Sequence, residues 1–184
     1  MLLAAAELFL RHGFGPVGLD RIIDAVGVTK TTFYKHFPSK DDLIIAVLAH
    51  QHEIEMQALA EDVVMRAGAD PSAQILAMFD VFHEWFSEEA FRGCMFLNAA
   101  TEFPLPTDPI HLAAIAHGQG LQAFVQEKAI AAGLAPDAAA TLAAQIVMLI
   151  SGAVVSRQTA RMVNAAKLAQ PMVDVLLRRA LQRA

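Results

Sequence analysis

At 184 residues the chain is long enough to bury a sizeable core in one or two domains. Its 55% hydrophobic content, rich in alanine and leucine, favours helix over strand, and a net charge of −5 excludes a protein coated in nucleic acid over its whole surface. The single cysteine, Cys94, excludes an internal disulfide framework and any multi-cysteine metal site, and it suits a reducing cytoplasm.

The charge is unevenly spread. Residues 1–50 hold five Lys/Arg (11, 21, 30, 35, 40) and five Asp/Glu (7, 20, 24, 41, 42), so the whole acidic excess lies in the later residues. A locally neutral segment can still bind phosphate when its cations share one face.

Met1-Leu-Leu-Ala-Ala-Ala has the look of a leader, but it lacks a basic flank and Glu7 cuts the apolar run short. Instead Ala5, Leu8 and Phe9 predict a short amphipathic helix that stops at Gly13. Leu19, Ile22, Ile23 and Val26 fall at i, i+3, i+4 and i+7, predicting a second helix that ends at Gly27. A very short third helix fits Lys30 to His36, because Thr29 is a good N-cap and Pro38 blocks continuation.

Ser39 with Asp42 has the spacing of a capping box and starts a fourth helix, expected to reach about Ala67. It carries two apolar lines, Leu43-Val47-Ile54 and Ile45-Leu48-Met56-Leu59-Val63, as suits a helix joining two packing units. Further helices are expected over about 72–87, 90–101, 109–132, 136–160 and 165–183, divided by Glu88-Glu89, the Pro104/Pro106/Pro109 loop and Gly133-Pro136. No strand pattern, repeat or low-complexity tail stands out. The expected fold is all-α with about nine helices: an N-terminal three-helix domain over 1–46 and a C-terminal helical bundle over 47–184.

Two short helices separated by a tight turn at Gly27 have the form of a helix-turn-helix. With Val28, Phe33 and Phe37 packed inward, Lys30, Thr31, Thr32, Tyr34, Lys35 and His36 lie on or near the open side. Their donors suit base edges and phosphate oxygens. Lys30 and Lys40 each sit in the first turn of a helix, where the dipole disfavours a cation by roughly 0.3–1 kcal/mol. A visiting anion such as DNA phosphate accounts for both placements; the alternative is an unremarkable solvated surface.

The string Gly27-Val28-Thr29-Lys30-x-x-Phe33-Tyr34-x-His36-Phe37-x-Ser39-Lys40-x-x-Leu43 resembles the DNA-binding signature of the TetR family of bacterial repressors. With the first helix, the resemblance spans roughly residues 1–50. It implies a homodimer whose paired recognition helices enter successive major grooves of a palindromic double-stranded operator. It also implies base contacts from Lys30, Thr31 and Thr32, phosphates held by Tyr34, His36 and Lys40, and helix capping by Thr29 near the DNA backbone. A small-molecule pocket in the C-terminal domain would spread the two heads apart. Family members usually carry a basic arm before the first helix. Met1 stands almost inside that helix, so either phosphate contacts from such an arm are missing or the natural chain is longer than these 184 residues.

In the body, Leu142, Ile146, Leu149 and Ala153, followed by Leu168, Met172, Val175 and Leu176, form helical stripes, and Gly152 permits close approach of a neighbour. The resemblance makes this helix pair a four-helix dimer interface, with Leu142, Ile146, Leu149, Ala153, Met172 and Leu176 in the seam. Residues 138–156 carry no charge, which is near spanning length. Gln145, Ser151 and Ser156 interrupt them and no basic cluster flanks them, so burial at a protein interface, not a membrane, is expected.

Apolar side chains at helical spacing are usually plain core, but His83, Asn98, His117 and Gln145 are threaded among them and need partners. Met78, Phe82, Phe86, Met95, Asn98, His117 and Met148 are therefore the candidate lining of an effector site, mostly apolar with one or two hydrogen bonds. Asn98 is the favoured polar contact, and a buried inert thiol is expected of Cys94. No cofactor and no metal are expected, since His50 and His52 diverge on a helix and no ligand spacing occurs. An enzyme would need a nucleophile–base or metal constellation, and none stands out. The remaining alternative is a ligand-binding or interaction protein with weakened DNA binding.

Overall fold

The computed structural model describes residues 1–183. Nine helices occur among them, with no strand: α1 (Leu2–His12), α2 (Leu19–Val26), α3 (Lys30–His36), α4 (Lys40–Ala67), α5 (Pro71–Ser87), α6 (Met95–Glu102), α7 (Pro109–Ala131), α8 (Pro136–Ala160) and α9 (Ala165–Leu181). The chain divides into two compact units, 1–55 with 92–117, and 56–91 with 118–184. The first unit thus extends past residue 46 and takes in all of α6, because those segments share its core.

That core is built where the apolar stripes meet. Ala5 and Phe9 of α1, Ile22 and Ile23 of α2, Phe33 of α3 and Leu43, Ile44, Val47 and Leu48 of α4 are buried with Met95, Phe96, Ala99, Ile110 and Ala114. Phe14, in the α1–α2 loop, stacks on Phe9 at 5.0 Å between ring centroids and meets the edge of Phe103 at 6.1 Å. Ile54, grouped by sequence with the inward line of α4, is 41% exposed.

The α6 start differs from expectation. Gly93 takes a φ of 91°, which a helix cannot continue through, and the helix begins only at Met95, not at 90.

In the second unit α9 packs against α5 and α8. Asp70 caps α5 by accepting from the N–H groups of Ser72 (2.9 Å) and Ala73 (3.3 Å). The Gln170 amide donates to Leu76 O at 2.9 Å and to Asp80 Oδ1 at 3.0 Å, and Lys167 pairs with Asp80. Burial opposes ionisation of the Asp80 carboxyl, but Lys167 and Gln170 outweigh it and hold the pKa below its ordinary value. On length and composition α8 could cross a bilayer, with 39% of its most apolar stretch buried inside the chain.

Candidate DNA-binding site and effector domain

The helix-turn-helix is made by a glycine that only a residue without Cβ tolerates well. Gly27 sits at φ 73°, ψ 34°, and its N–H donates to Asp24 O and Ile23 O. Val28 N–H also reaches Ile23 O at 3.3 Å, closing the helix end on both sides and turning the chain towards α3. Thr29 then caps α3, its hydroxyl accepting from Thr32 N–H at 3.1 Å and lying 2.9 Å from the Thr32 hydroxyl. Ser39 and Asp42 form the expected box at α4: Asp42 N–H donates to Ser39 Oγ at 3.1 Å, and that hydroxyl donates to the carboxylate at 2.6 Å.

Packing selects the open face of α3. Phe33 is fully buried and meets Tyr34 edge-on at 5.4 Å and Phe37 at 5.9 Å. Thr29, Lys30, Thr31, Tyr34, Lys35 and His36 are exposed, and Thr32 is half-buried. Lys30 Nζ pairs with Asp20 Oδ1 at 3.2 Å, with both side chains largely in solvent, so the pair is weak and the ammonium free to swing to another anion.

Lys40 is placed differently. Its ammonium turns into the α1–α2 loop and donates to Phe14 O at 2.6 Å and Gly15 O at 3.4 Å. Partial burial draws its pKa below the ordinary lysine value, against the opposing charges of Asp41 and Glu102. Glu102 also binds that loop, and sequence reading missed it because 87 residues separate it from Gly15. Arg21, likewise outside the expected set, is exposed and donates to His12 Nε2 at 2.7 Å.

Residues 1–47 match the family described as bacterial regulatory proteins, tetR family, and residues 71–170 match the C-terminal domain of LmrA/YxaF-like transcriptional regulators. The chain belongs to the TetR family of transcriptional regulators. It is 28% identical over 163 residues to the HTH-type transcriptional regulator LmrA of Bacillus subtilis, covering 88% of this chain and 86% of that one. A 30% identity over 90 residues links it to the HTH-type transcriptional activator FasR of Mycolicibacterium smegmatis; that stretch is 49% of this chain and only 40% of FasR. The solved structure of SCO4454, a TetR-family regulator from Streptomyces coelicolor, matches with a TM-score of 0.81 and 30% identity over 97% of this chain and 93% of that one. Reduced NemR from E. coli shares the fold, with a TM-score of 0.79 at 21% identity, over 94% of this chain and 92% of that one.

The body of this TetR-family chain redistributes the residues that sequence had grouped. Leu142, Ile146 and Ala153 are buried in the core of their own chain and cannot be the outer seam of an interface. Met148, grouped by sequence with the effector lining, is 70% exposed, and Met172 is 55% exposed. The cause is helical phase: Met148 lies about 200° round α8 from both Ile146 and Ile150, which face inward. An open groove of about 580 Å³ runs between α8 and α9, lined by Gln145, Met148, Leu149, Pro171, Met172, Val175 and Leu176.

The other effector candidates fall in both units. Met78 and Phe86 are fully buried in the second, and Phe82 packs beside Trp85 and Phe86 at 6.2 and 6.3 Å. Arg157 closes that aromatic cluster, donating to Phe86 O at 2.7 Å with its guanidinium 4.4 Å from the Phe91 ring centre. His83 reaches Val163 O at 3.3 Å.

In the first unit Met95 is buried and Asn98 half-buried. His117 Nδ1 is 3.2 Å from His52 Nδ1, and its Nε2 is 3.9 Å from Glu55 Oε2. Burial, with a smaller push from His52, lowers the His117 pKa to about 4, so near neutral pH the Glu55 contact joins a neutral ring to a carboxyl and is no ion pair. Burial raises the Glu55 pKa, against a hydrogen bond from Gln51. Sequence reading missed this trio because His52 and His117 stand 65 residues apart. Burial pushes the pKa of the half-buried Cys94 thiol up to about 11. Among the described residues no group of His, Cys, Asp and Glu is arranged to hold a metal ion.

Proposed function

We propose that this TetR-family regulator is a cytoplasmic homodimeric repressor that binds a palindromic operator through α3 and is released by a small apolar or aromatic effector. The observation that carries the reading is the two-sided α3: Phe33 anchors one side while Lys30, Thr31, Tyr34, Lys35 and His36 stand in solvent on the other. Donors of that kind on an exposed, capped helix suit a major groove. In this reading Lys30, Thr31 and Thr32 meet base edges, Tyr34, Lys35 and His36 meet phosphates, and no catalytic or membrane role is assigned to the chain.

The dimer is proposed through the α8–α9 groove. Met148, Leu149, Met172, Val175 and Leu176 make an uncharged apolar strip of a kind that soluble chains cover with a partner. Two copies joined there would present two recognition helices, which a palindrome with half-site centres ~34–36 Å apart requires. The effector is proposed to meet Met95, Asn98 and His117 in the first unit.

Selection of duplexes from fragmented genomic DNA tests the reading. Enrichment of a symmetric motif, bound by a dimer and lost on adding a stabilising aromatic compound, is the expected result. Enrichment of no symmetric motif overturns it.

A further inference from the structure

The loop between α1 and α2 is gripped from two sides by side chains of opposite charge. The Phe14 N–H donates to both oxygens of the Glu102 carboxylate, at 3.1 and 2.9 Å, and the Gly15 N–H donates to Oε2 at 2.8 Å. Lys40 Nζ donates to the carbonyls of the same two residues. Each peptide group thus meets a charge of the sign its dipole calls for, and charge-assisted bonds are the strong ones.

Local sequence fits the arrangement. Gly13 sits at φ 80°, where side chains are strained, and a Cβ there would come within 3.0 Å of Glu102 Oε1. Phe103, the next residue after Glu102, packs on Phe14, so the end of α6 is joined to the loop by an apolar contact as well. A carboxylate at a helix C-terminus is disfavoured by the dipole, which makes Glu102 a poor choice for α6 alone. It makes sense as a ligand for amides elsewhere.

We infer that Glu102 and Lys40 clamp the Phe14–Gly15 peptides and so set the α1–α2 corner for DNA binding, making both positioning residues. The inference rests on the reading that α3 enters a duplex. Glu102 then belongs to the DNA-binding machinery although it lies outside the helix-turn-helix. Lys40 acts through the loop, with two of its three donors on carbonyls.

The test uses the full chain and the duplex that the wild-type protein enriches. Glu102→Ala is expected to weaken binding about tenfold well below its unfolding temperature, the scale of losing charge-assisted bonds. Glu102→Gln keeps a carbonyl acceptor and is expected to lose about threefold or less, rescuing most of the effect. Both variants keep the wild-type slope of log affinity against log salt, since no phosphate contact changes. Lys40→Ala also weakens binding at unchanged slope, and amide exchange at Phe14 and Gly15 quickens in Glu102→Ala. If Glu102→Ala fails to fold, Glu102→Gln against wild type decides by the same exchange and affinity readings.

Binding by folded Glu102→Ala equal to wild type, or faster amide exchange in Glu102→Gln with no loss of binding at all, overturns the clamp's role in DNA binding and leaves it a structural latch. A slope reduced by about one in Lys40→Ala makes Lys40 a phosphate ligand and overturns its assignment. Failure of the wild-type chain to enrich any duplex overturns the DNA reading itself, an outcome distinct from the other two.

Discussion

The imidazole of His117 lies flat on the ring of Phe96, 3.8 Å between centroids and 3° from parallel. A ring so stacked, with His52 on its Nδ1 edge, is held neutral by its surroundings: burial first, and the neighbouring imidazole second.

The pH dependence of stability follows from that stack. The unfolded chain takes up this proton near 6.5 and the folded chain only near 4, so the unfolded state binds more protons in between. The contribution of His117 is complete above about pH 6.5 and is lost as pH falls to 4 and below, by about 3 kcal/mol in all. Glu55, raised by burial, works in the opposite direction. His117→Phe keeps the stack and removes the titration. Urea unfolding at pH 7 and pH 4.5 should show a smaller acid loss in that variant; an equal loss in both proteins refutes the assignment.

Recognition by α3 separates two kinds of variant. Lys30→Ala or Thr31→Ala is expected to cost about 1–3 kcal/mol on the enriched duplex and to relax preference at particular base pairs. Asp20→Asn releases Lys30 from its partner and removes a negative charge from the face, so affinity for every duplex should rise. Titration of matched and scrambled duplexes distinguishes these effects. Identical specificity in Lys30→Ala places the base contacts elsewhere.

Thr29→Ala removes a cap that α3, at seven residues, can ill spare. The expected loss is about 1 kcal/mol in thermal or denaturant unfolding, with weaker DNA binding alongside. No change in either would show that the Thr32 contact contributes nothing.

For assembly, burial predicts opposite outcomes on one helix. Met148→Asp, 70% exposed in the free chain, should leave a folded monomer, because the charge is unpaired only in the dimer. Ile146→Asp, with no exposure at all, should not fold. Light scattering at micromolar concentration with circular dichroism reads both. A wild-type monomer, or a Met148→Asp dimer as stable as wild type, removes the α8–α9 groove as the seam.

An effector is sought by thermal shift over apolar and aromatic compounds. A stabilising compound should loosen the operator by roughly 5–150-fold, the ordinary range of coupling. Asn98→Leu should keep operator affinity and lose much of that response; a full response in the variant moves the site away from Asn98.

The sequence by itself determined the head and the class of fold. Breakers, caps and apolar spacing are local signals, and Gly27, Thr29 and Ser39 each act within four residues of their own position. Tertiary structure decided whatever joins distant segments. Ile146 and Met148 are both apolar and two residues apart, and only packing against α9 and α5 shows which one faces the core. Glu102 on the Phe14 amides and His52 beside His117 bridge 88 and 65 residues, so no local pattern announces either. The same holds for Lys40: its place at a helix start is plain in the sequence, but the loop carbonyls that claim its ammonium are brought there only by the fold.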